Sequence, residues 1–337
     1  MDRRELLLSM FDPTGFGLEV GPSYNPLLPK SLGYRVETVD HVDAATLRKK
    51  YSDGGGVNTA HIEEVDYVSD GGSLADLIGE KERYDFIVAS HVIEHVTDII
   101  RFLRDCETLL KPDGVLVLAV PDKRFCFDAL RPVSTVGQAL QAFHEKRVRH
   151  PAGTVFDHIS LVCSKAGHEV WLEPTFDDLA LRGSAGEVLA TYETVRQSSD
   201  YVDVHGWQFT PSHFRYFVKT LRDIGYIRLG ERSFHRNTQA DGIHLHEFYV
   251  ALSRSAPDIG LSALDLLKES EREIREIRVS RHDADISTVS RGELETEVGA
   301  LRAELASARA DTNALLNSTS WKLTAPLRRL KMAFAAR

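Results

Sequence analysis

Short apolar runs alternate with helical segments through the first 120 residues, and this alternation constrains the fold more than any other feature. Five runs have the length and composition of buried strands: residues 17–20, 34–40, 61–65, 84–90 and 114–120. Between the last two, residues 96–110 place apolar side chains on one face of a helix. Strands that alternate with helices predict a parallel sheet with helices on both faces. Two later runs, residues 225–234 and 243–253, predict an antiparallel hairpin that closes the sheet.

Composition limits the classes of partner and the compartment. The chain of 337 residues has 50 acidic and 41 basic side chains, and this net charge of −9 disfavours nucleic acid as a partner. The three cysteines include no CxxC pair, so we expect neither a disulfide scaffold nor a cysteine zinc site. This cysteine usage predicts a cytoplasmic location. No apolar run is long enough for a membrane span.

Changes in composition divide the chain into three parts. We predict one α/β domain over residues 1–257, with an insertion at 131–211 that lies over the strand ends, where a substrate binds. Residues 258–318 predict a coiled-coil-like helix, because residues 294–315 keep the 4-3 spacing of a heptad repeat; the alternative is one amphipathic helix that packs on its own domain. Residues 319–337 predict a basic amphipathic tail for an anionic membrane surface, or else a frayed terminus.

The first predicted strand runs into the stretch LEVGPSYNP, residues 18–26. A turn at the carboxyl end of a parallel strand is where open sheets bind ligands. A dinucleotide site requires GxGxxG and a P-loop requires GKS or GKT, whereas Gly21 is followed here by Pro22 and Ser23. The acid before the turn, Glu19, favours a ligand that carries a positive charge over a pyrophosphate.

Polar residues also follow the next three predicted strands. Asp40 ends the second strand, roughly 20 residues after Glu19, where a carboxylate can accept both hydroxyls of a ribose. Asp66 follows the third strand, near the expected position of an adenine amino group, and Ser90 and His91 lie at the tip of the fourth. This series fits an adenosine that bears a cationic amino acid, which is S-adenosylmethionine.

The stretches LEVGPSYNP, VETVDHVD, YDFIVASHVIEHV and LLKPDGVLVLAVPD resemble the successive motifs of class I S-adenosylmethionine-dependent methyltransferases. The resemblance covers residues 15–125 and the closing hairpin. It implies a Rossmann-like seven-stranded sheet whose last strand is antiparallel. It also implies a set of cofactor-binding residues: Glu19, Gly21, Pro22, Asp40, Asp66, Ser90 and His91. The sequence departs from the family in having Gly-Pro-Ser where Gly-x-Gly is usual, which makes the loop more rigid.

The inserted segment supplies candidates for the acceptor side. Methyl transfer to a hydroxyl requires in-line geometry and a base. We predict His158 or His205 as that base, with Asp157 as the carboxylate that orients His158, and no bound metal. Two alternatives stay open: the Asp/His clusters hold a divalent metal that polarises two adjacent hydroxyls, or each histidine is a hydrogen-bonded loop residue.

The tail sequence STSWKLTAPLRRL resembles a C-terminal signature of bacterial glycosyltransferases and related enzymes of surface-polysaccharide assembly. With the methyltransferase motifs, it predicts O-methylation of a sugar hydroxyl in an O-antigen or capsule-type glycan or its sugar precursor. The alternatives are a methyltransferase for another small molecule or a lipid, and a non-catalytic cofactor-binding scaffold of a polysaccharide assembly complex. We expect a homo-oligomer through the coiled coil, and peripheral contact of the tail with the inner membrane.

Overall fold

The computed structural model describes residues 2–52, 57–236 and 246–275. The strands, numbered in chain order, are β1 (Gly17–Val20), β2 (Val36–Asp40), β3 (Tyr67–Val68), β4 (Tyr84–Ser90), β5 (Leu110–Pro121), β6 (Cys163–Lys165), β7 (Leu179–Leu181), β8 (Gly230–His235) and β9 (Glu247–Ser253). The helices are α1 (Arg3–Leu8), α2 (Ala44–Ser52), α3 (Leu74–Ile78), α4 (Ile99–Leu109), α5 (Val136–His144), α6 (Ala152–Leu161), α7 (Ala185–Gln197), α8 (Pro211–Asp223) and α9 (Ala263–Arg275).

Seven strands form one sheet in the order β3-β2-β1-β4-β5-β9-β8. The pairs among β1 to β5 are parallel, and β9 is antiparallel to both β5 and β8. β6 and β7 form a separate antiparallel ribbon. This confirms the predicted fold class, an α/β Rossmann-like seven-stranded methyltransferase sheet with helices on both faces.

Strand β5 shows how the sheet separates two apolar layers. Leu116 and Leu118 face the layer that contains α4, α5 and α8, whereas Val115 and Val117 face the layer that contains α1. All four side chains are buried, as expected for a strand covered on both faces. Burying each such side chain contributes about 1.5–3 kcal/mol to folding.

The predicted strands 17–20 and 84–90 match β1 and β4, but the predicted strand 61–65 is wrong. Residues 59–61 form a 3-10 turn, and the two-residue strand β3 comes later. Ile62 is the reason for the difference, because its side chain packs against Ala44 and Leu47 of α2 instead of joining the sheet. An apolar run that packs on a neighbouring helix looks the same in sequence as a short strand.

Two other boundaries differ for identifiable reasons. The predicted helix 96–110 begins at Ile99, because the Asp98 side chain caps it by accepting a hydrogen bond from Arg101 N (2.9 Å). The predicted strand 225–234 begins at Gly230, because Arg228 N donates to the Glu107 side chain instead of to a neighbouring strand (2.8 Å).

The predicted insertion, residues 131–211, consists of two different parts. Helix α5 belongs to the main core, since Ala139 and Ala142 are fully buried in the layer of α4 and α8. The following elements, α6, β6, β7 and α7, form a small unit of their own in which α6 packs on α7. Only this second part has the character of an added segment.

Part of the predicted C-terminal helix is described. Helix α9 packs on α8, where the buried Glu273 side chain accepts hydrogen bonds from Ser212 N (3.0 Å) and Ser212 Oγ (2.7 Å). The heptad positions 294–315 and the tail 319–337 lie outside the described residues. None of the described helices is long and apolar enough to cross a membrane.

Candidate active site

The strand order reverses between β1 and β4, and the loops after these two strands lie side by side. Open α/β sheets bind ligands at such a position. Gly21 has a φ of 66°, and a Cβ atom there would lie 2.8 Å from Val92 Cγ2. Ser23 is also left-handed (φ 50°), and Pro22 O accepts a hydrogen bond from Asn25 N (3.0 Å). The stretch LEVGPSYNP is therefore a tight turn against the loop after β4, and Gly21 is required by both conformation and space.

Glu19, on β1, fixes the shape of this turn through hydrogen bonds to its backbone. Its carboxylate is buried and accepts hydrogen bonds from Leu27 N (2.6 Å) and Leu28 N (3.0 Å). Burial raises the pKa of Glu19 to about 7, although the two backbone N–H groups oppose this shift. Both oxygens are thus committed to folding the loop back on β1. A contact between Glu19 and the methionine moiety stays a prediction.

Asp40, at the end of β2, connects the turn to the next strand. Its Oδ2 accepts a hydrogen bond from Ser23 N (3.0 Å), and its Oδ1 accepts one from His41 N (2.8 Å). His41 Nδ1 also lies 2.6 Å from Oδ1. A carboxylate offers about four lone-pair positions, so one remains for a hydroxyl of a ribose, which fits S-adenosylmethionine at the predicted position.

Asp66 does not lie where the sequence placed it. It precedes β3, and its Oδ2 accepts hydrogen bonds from Lys30 Nζ (2.5 Å) and Thr38 N (2.7 Å). Since β3 runs parallel to β2 and ends at Val68, the carboxyl end of this strand is occupied by Ser69 instead. Asp66 therefore lies beside Thr38, in the middle of β2, and not at the carboxyl edge of the sheet.

Ser90 and His91, at the tip of β4, are joined to the first helix and to β9. Arg3 donates hydrogen bonds to Ser90 Oγ (2.6 Å) and Glu247 Oε1 (2.6 Å), and His91 Nε2 lies 2.8 Å from Glu247 Oε2. Burial alone would lower the pKa of His91, but the bond to Glu247 outweighs this effect and raises the pKa to about 9. Likewise, His91 and Arg3 overcome burial and hold the pKa of Glu247 well below its usual range.

Beyond His91 lies a group of side chains that we call the Glu94 cluster, defined as Glu94, His95 and His205. Their ligand-forming atoms all lie within 4.8 Å of one another. Each histidine has a carboxylate on its Nδ1: His95 lies 2.8 Å from Asp203 Oδ1, and His205 lies 2.5 Å from Asp128 Oδ2. The two rings meet edge to face with centroids 4.5 Å apart. The Nε2 atoms are therefore the ones left to face the cluster.

The Glu94 side chain is unusual within this cluster. It is only 1% exposed, yet neither of its oxygens has a hydrogen-bond partner. The histidine nitrogens are near it but beyond good hydrogen-bond distance, with Oε1 at 3.5 Å from His91 Nδ1 and 3.9 Å from His95 Nε2. These two rings lower the pKa of Glu94 against the effect of burial, so the group is an ionised, buried and unbonded carboxylate.

The backbone holds the cluster in place. Glu94 O accepts hydrogen bonds from Gly206 N (2.6 Å) and Trp207 N (3.2 Å), and the Trp207 indole donates to Val96 O (2.6 Å). A Cβ atom on Gly206 would lie 2.7 Å from His150 Cε1, so the His150 ring occupies the space that a side chain at position 206 would need. The loop that carries His205 is thus fixed to the loop after β4.

The structure brings His158 to the same place as His205 but leaves Asp157 outside. The rings of His158 and His205 are 5.8 Å apart, and His158 Nδ1 lies 3.4 Å from Arg131 Nη1. Burial lowers the pKa of His158 to about 4, so this ring is neutral near pH 7. Asp157 is exposed on α6, and adjacent helix residues do not share a face. Asp128 is the carboxylate that orients a predicted base, and that base is His205.

Sequence reasoning missed three carboxylates of the site, namely Glu94, Asp128 and Glu247. The stretch SHVIEHV contained a signal for the first, because residues three and four apart lie on one side of a turn. The other two had none, since each meets its histidine only through the tertiary fold.

Comparisons with known proteins agree with this architecture. The family described as a methyltransferase domain matches residues 2–172, about half of the chain. The ubiquinone biosynthesis O-methyltransferase of Rhodopseudomonas palustris strain TIE-1 is 40% identical over 52 residues, which are 15% of this chain and 21% of that protein. The one from strain HaA2 is 44% identical over 48 residues, 14% and 19% of the two chains. The chain thus spans about a fifth of the length of the curated relatives it matches.

Two solved structures are similar at low identity. The CcbJ methyltransferase of Streptomyces caelestis is 13% identical with a TM-score of 0.39, over 74% of this chain and 93% of that one. An S-adenosylmethionine-dependent methyltransferase from Mesorhizobium loti is 10% identical with a TM-score of 0.38, over 74% and 95%.

The fold and the family match define the class, an S-adenosylmethionine-dependent methyltransferase, as predicted. The chain belongs to the methyltransferase-domain family.

Proposed function

We propose that this chain transfers a methyl group from S-adenosylmethionine to a hydroxyl oxygen of an acceptor bound at the Glu94 cluster. The observation that carries the proposal is the hydrogen-bonded pair of His205 and Asp128 (2.5 Å), whose ring contacts that of His95. An imidazole oriented in this way is a group that activates hydroxyls.

The turn at Gly21 and the end of β2 form the donor side. S-adenosylmethionine, when bound, supplies an electrophilic methyl group and departs as a neutral thioether. Gly21 lets the turn pack against Val92, and Asp40 offers its remaining lone pair to the ribose. Val92, which packs against Gly21, lies two residues before Glu94, so one loop borders both the donor side and the acceptor side. This adjacency is what an in-line transfer requires.

The acceptor side must remove the hydroxyl proton as the carbon–oxygen bond forms. His205 donates from Nδ1 to Asp128, which leaves the lone pair of Nε2 toward the cluster. Such a nitrogen can accept the proton directly, or it can ligate a cation that lowers the pKa of the acceptor hydroxyl. His205 is a shared participant in both arrangements, and His158 lies next to it.

The acceptor we propose first is a sugar hydroxyl of a bacterial surface polysaccharide, of the O-antigen or capsule type, or of its precursor. Its support is the resemblance of the tail sequence, which lies outside the described residues. A second candidate acceptor is another small molecule or a lipid, such as a quinone, and the matching segments of the ubiquinone biosynthesis O-methyltransferases favour it. A scaffold that binds the cofactor without turnover is the non-enzymatic alternative.

We also propose a cytoplasmic homo-oligomer that associates through residues 258–318, and peripheral contact with the inner membrane through residues 319–337. Light scattering and vesicle sedimentation of the full chain, beside a chain that ends at residue 278, test both. Loss of self-association or of vesicle binding in the shorter chain supports each proposal, and equal behaviour of the two chains contradicts it.

Calorimetry with S-adenosylmethionine and with its demethylated product tests the central proposal. We expect both to bind, and labelled methyl transfer to appear with either the glycan or the quinone-type acceptor. His205→Ala should bind the cofactor normally and lose turnover, whereas His144→Ala, an exposed histidine bonded to Tyr226, should keep both. Failure of the wild type to bind cofactor contradicts the enzyme; binding without turnover of any acceptor favours the scaffold.

A further inference from the structure

We propose that Glu94, His95 and His205 bind a divalent transition-metal ion, and that this ion takes an oxygen of the acceptor. The metal site itself stands on the geometry of the cluster, whereas its part in methyl transfer rests on the proposed function. The proposal departs from the metal-free base that the sequence predicted.

The Glu94 carboxylate lacks the hydrogen bonds that a buried carboxylate usually has. A buried carboxylate normally accepts several hydrogen bonds, because an unpaired charge in a protein interior is expensive. Glu94 is 1% exposed and accepts none. Glu19 is a matched contrast: it is equally buried, yet each of its oxygens has a backbone N–H partner. The nearest basic groups, His91 Nδ1 (3.5 Å) and His95 Nε2 (3.9 Å), both lie beside Oε1. A ligand for a cation is a role that accounts for a buried carboxylate without a hydrogen bond.

Both histidines of the Glu94 cluster are oriented by a carboxylate on Nδ1. Histidines that bind metals usually donate their other ring N–H to a carboxylate, which fixes the tautomer and turns the remaining lone pair toward the ion. His95 does this through Asp203 (2.8 Å) and His205 does it through Asp128 (2.5 Å). Both rings are thereby prepared to ligate through Nε2, on the side where Glu94 lies (3.9 Å from His95 Nε2).

The ligand atoms of the Glu94 cluster are close enough together to surround one ion. They lie within 4.8 Å of one another. Metal–ligand bonds of about 2.0–2.2 Å hold ligand atoms at about 3–3.5 Å, so small side-chain rotations close the site around an ion. The backbone hydrogen bonds between Glu94 O and the loop of His205 hold the two halves together while this occurs.

The donor set selects the kind of ion. Two imidazoles and one carboxylate suit Mn²⁺, Fe²⁺, Co²⁺ or Zn²⁺, whereas Mg²⁺ and Ca²⁺ prefer oxygen ligands. Three protein ligands leave coordination positions open, as in catalytic sites. An acceptor with two adjacent oxygens, such as a vicinal diol or a catechol, can fill two of them. The ion then lowers the pKa of the bound hydroxyl, and the proton is released to solvent.

The test uses Co²⁺ as the probe on the full chain after treatment with EDTA. Visible absorption reports coordinated Co²⁺, and calorimetry gives the stoichiometry and affinity. We expect one equivalent per chain in the wild type and in His144→Ala, which removes an exposed histidine outside the cluster. We expect affinity to fall at least about 100-fold in Glu94→Gln and in His205→Ala, and about 10–100-fold in Asp128→Asn, which alters a residue that positions a ligand.

Thermal unfolding separates a ligand from a structural ion pair. If Glu94 is a ligand, Glu94→Gln loses the rise in unfolding temperature that metal gives to the wild type. If Glu94 is only a structural ion-pair partner of His91 and His95, the variant is less stable without metal and keeps that rise. The absence of saturable Co²⁺ binding in the wild type overturns the proposal, and so does equal binding by Glu94→Gln and His205→Ala. Cofactor binding measured on the same samples distinguishes this result from failure of the methyltransferase itself.

Discussion

The two sides of the strand crossover treat their buried carboxylates in opposite ways. On the donor side, Glu19 and Asp40 accept hydrogen bonds from backbone N–H groups of the turn after β1, so their oxygens fix the path of the loop. On the acceptor side, Glu94 is as deeply buried and has no hydrogen bond, while carboxylates farther out orient the histidines around it. The donor side is held by its own contacts, whereas we propose that a metal ion completes the acceptor side.

This difference separates two kinds of sensitivity to mutation. A change in a bonded carboxylate removes contacts of the folded state, so we expect stability to fall more than chemistry. A change in Glu94 removes no hydrogen bond, only its ion pairs with His91 (3.5 Å) and His95 (3.9 Å), so we expect chemistry to fall more than stability. Isosteric substitutions on the two sides can therefore show whether the contrast is real.

Glu94→Gln should have the largest effect on turnover. We expect a loss of at least about 1,000-fold, because a cation that stabilises developing charge contributes several kcal/mol to lowering the barrier. Cofactor affinity should change little, since the Gly21 turn is untouched. Steady-state rates with cofactor binding by calorimetry check both. Turnover within about tenfold of the wild type would place Glu94 outside the chemistry.

Asp128→Asn should have a smaller effect, and its size distinguishes the two arrangements of His205. An amide in place of the carboxylate disturbs the tautomer of the ring. If His205 is a metal ligand, we expect turnover to fall about 10–100-fold, and added metal should restore part of it. A loss near 10⁴-fold that metal does not relieve indicates instead that His205 is the base itself.

Gly21→Ala tests the donor side, and Gly33→Ala is its control. Both glycines are left-handed (φ 66° and 88°), so each substitution adds backbone strain of about 1–3 kcal/mol. Only at Gly21 does the new Cβ approach a neighbour, Val92 at 2.8 Å, whereas the space around Gly33 is open. We expect cofactor binding to be roughly tenfold weaker in Gly21→Ala alone, which corresponds to a loss of about 1.4 kcal/mol of binding free energy. Equal affinity in both variants would remove the turn from the cofactor site.

The sequence predicts the donor side better than the acceptor side, and distance along the chain explains why. Gly21 and His91 directly follow a strand and Asp40 ends one, so the strand pattern alone puts them at one edge of the sheet. The predicted position of Asp66 is wrong because β3 has only two residues and the apolar run before it packs on α2. A strand so short leaves almost no periodic signal.

The acceptor side depends on contacts that no local pattern encodes. Asp157 stands next to His158 in the sequence, yet helix geometry points them apart, and the carboxylate that orients His205 comes from position 128. That Glu94 is buried without a hydrogen bond follows only from how three loops close around it. Sequence reasoning therefore found the histidines but assigned them the wrong carboxylate.

Glu19→Gln should have the smallest effect on turnover and a clear effect on stability. Gln offers one acceptor oxygen, so one of the backbone N–H groups of Leu27 and Leu28 loses its partner, at about 1–3 kcal/mol. The pH dependence of the folding stability provides a second measurement. Burial raises the pKa of Glu19 to about 7, so the folded state holds a proton that the unfolded state releases near pH 4.5. The stability that this group contributes is complete below pH 4.5 and is lost as pH rises through 7. Because Gln does not titrate, the deficit of the variant in urea unfolding should be larger at pH 5.5 than at pH 8. A deficit that grows with pH would mean that Glu19 is ionised throughout, and that the two buried glutamates differ less than their contacts indicate.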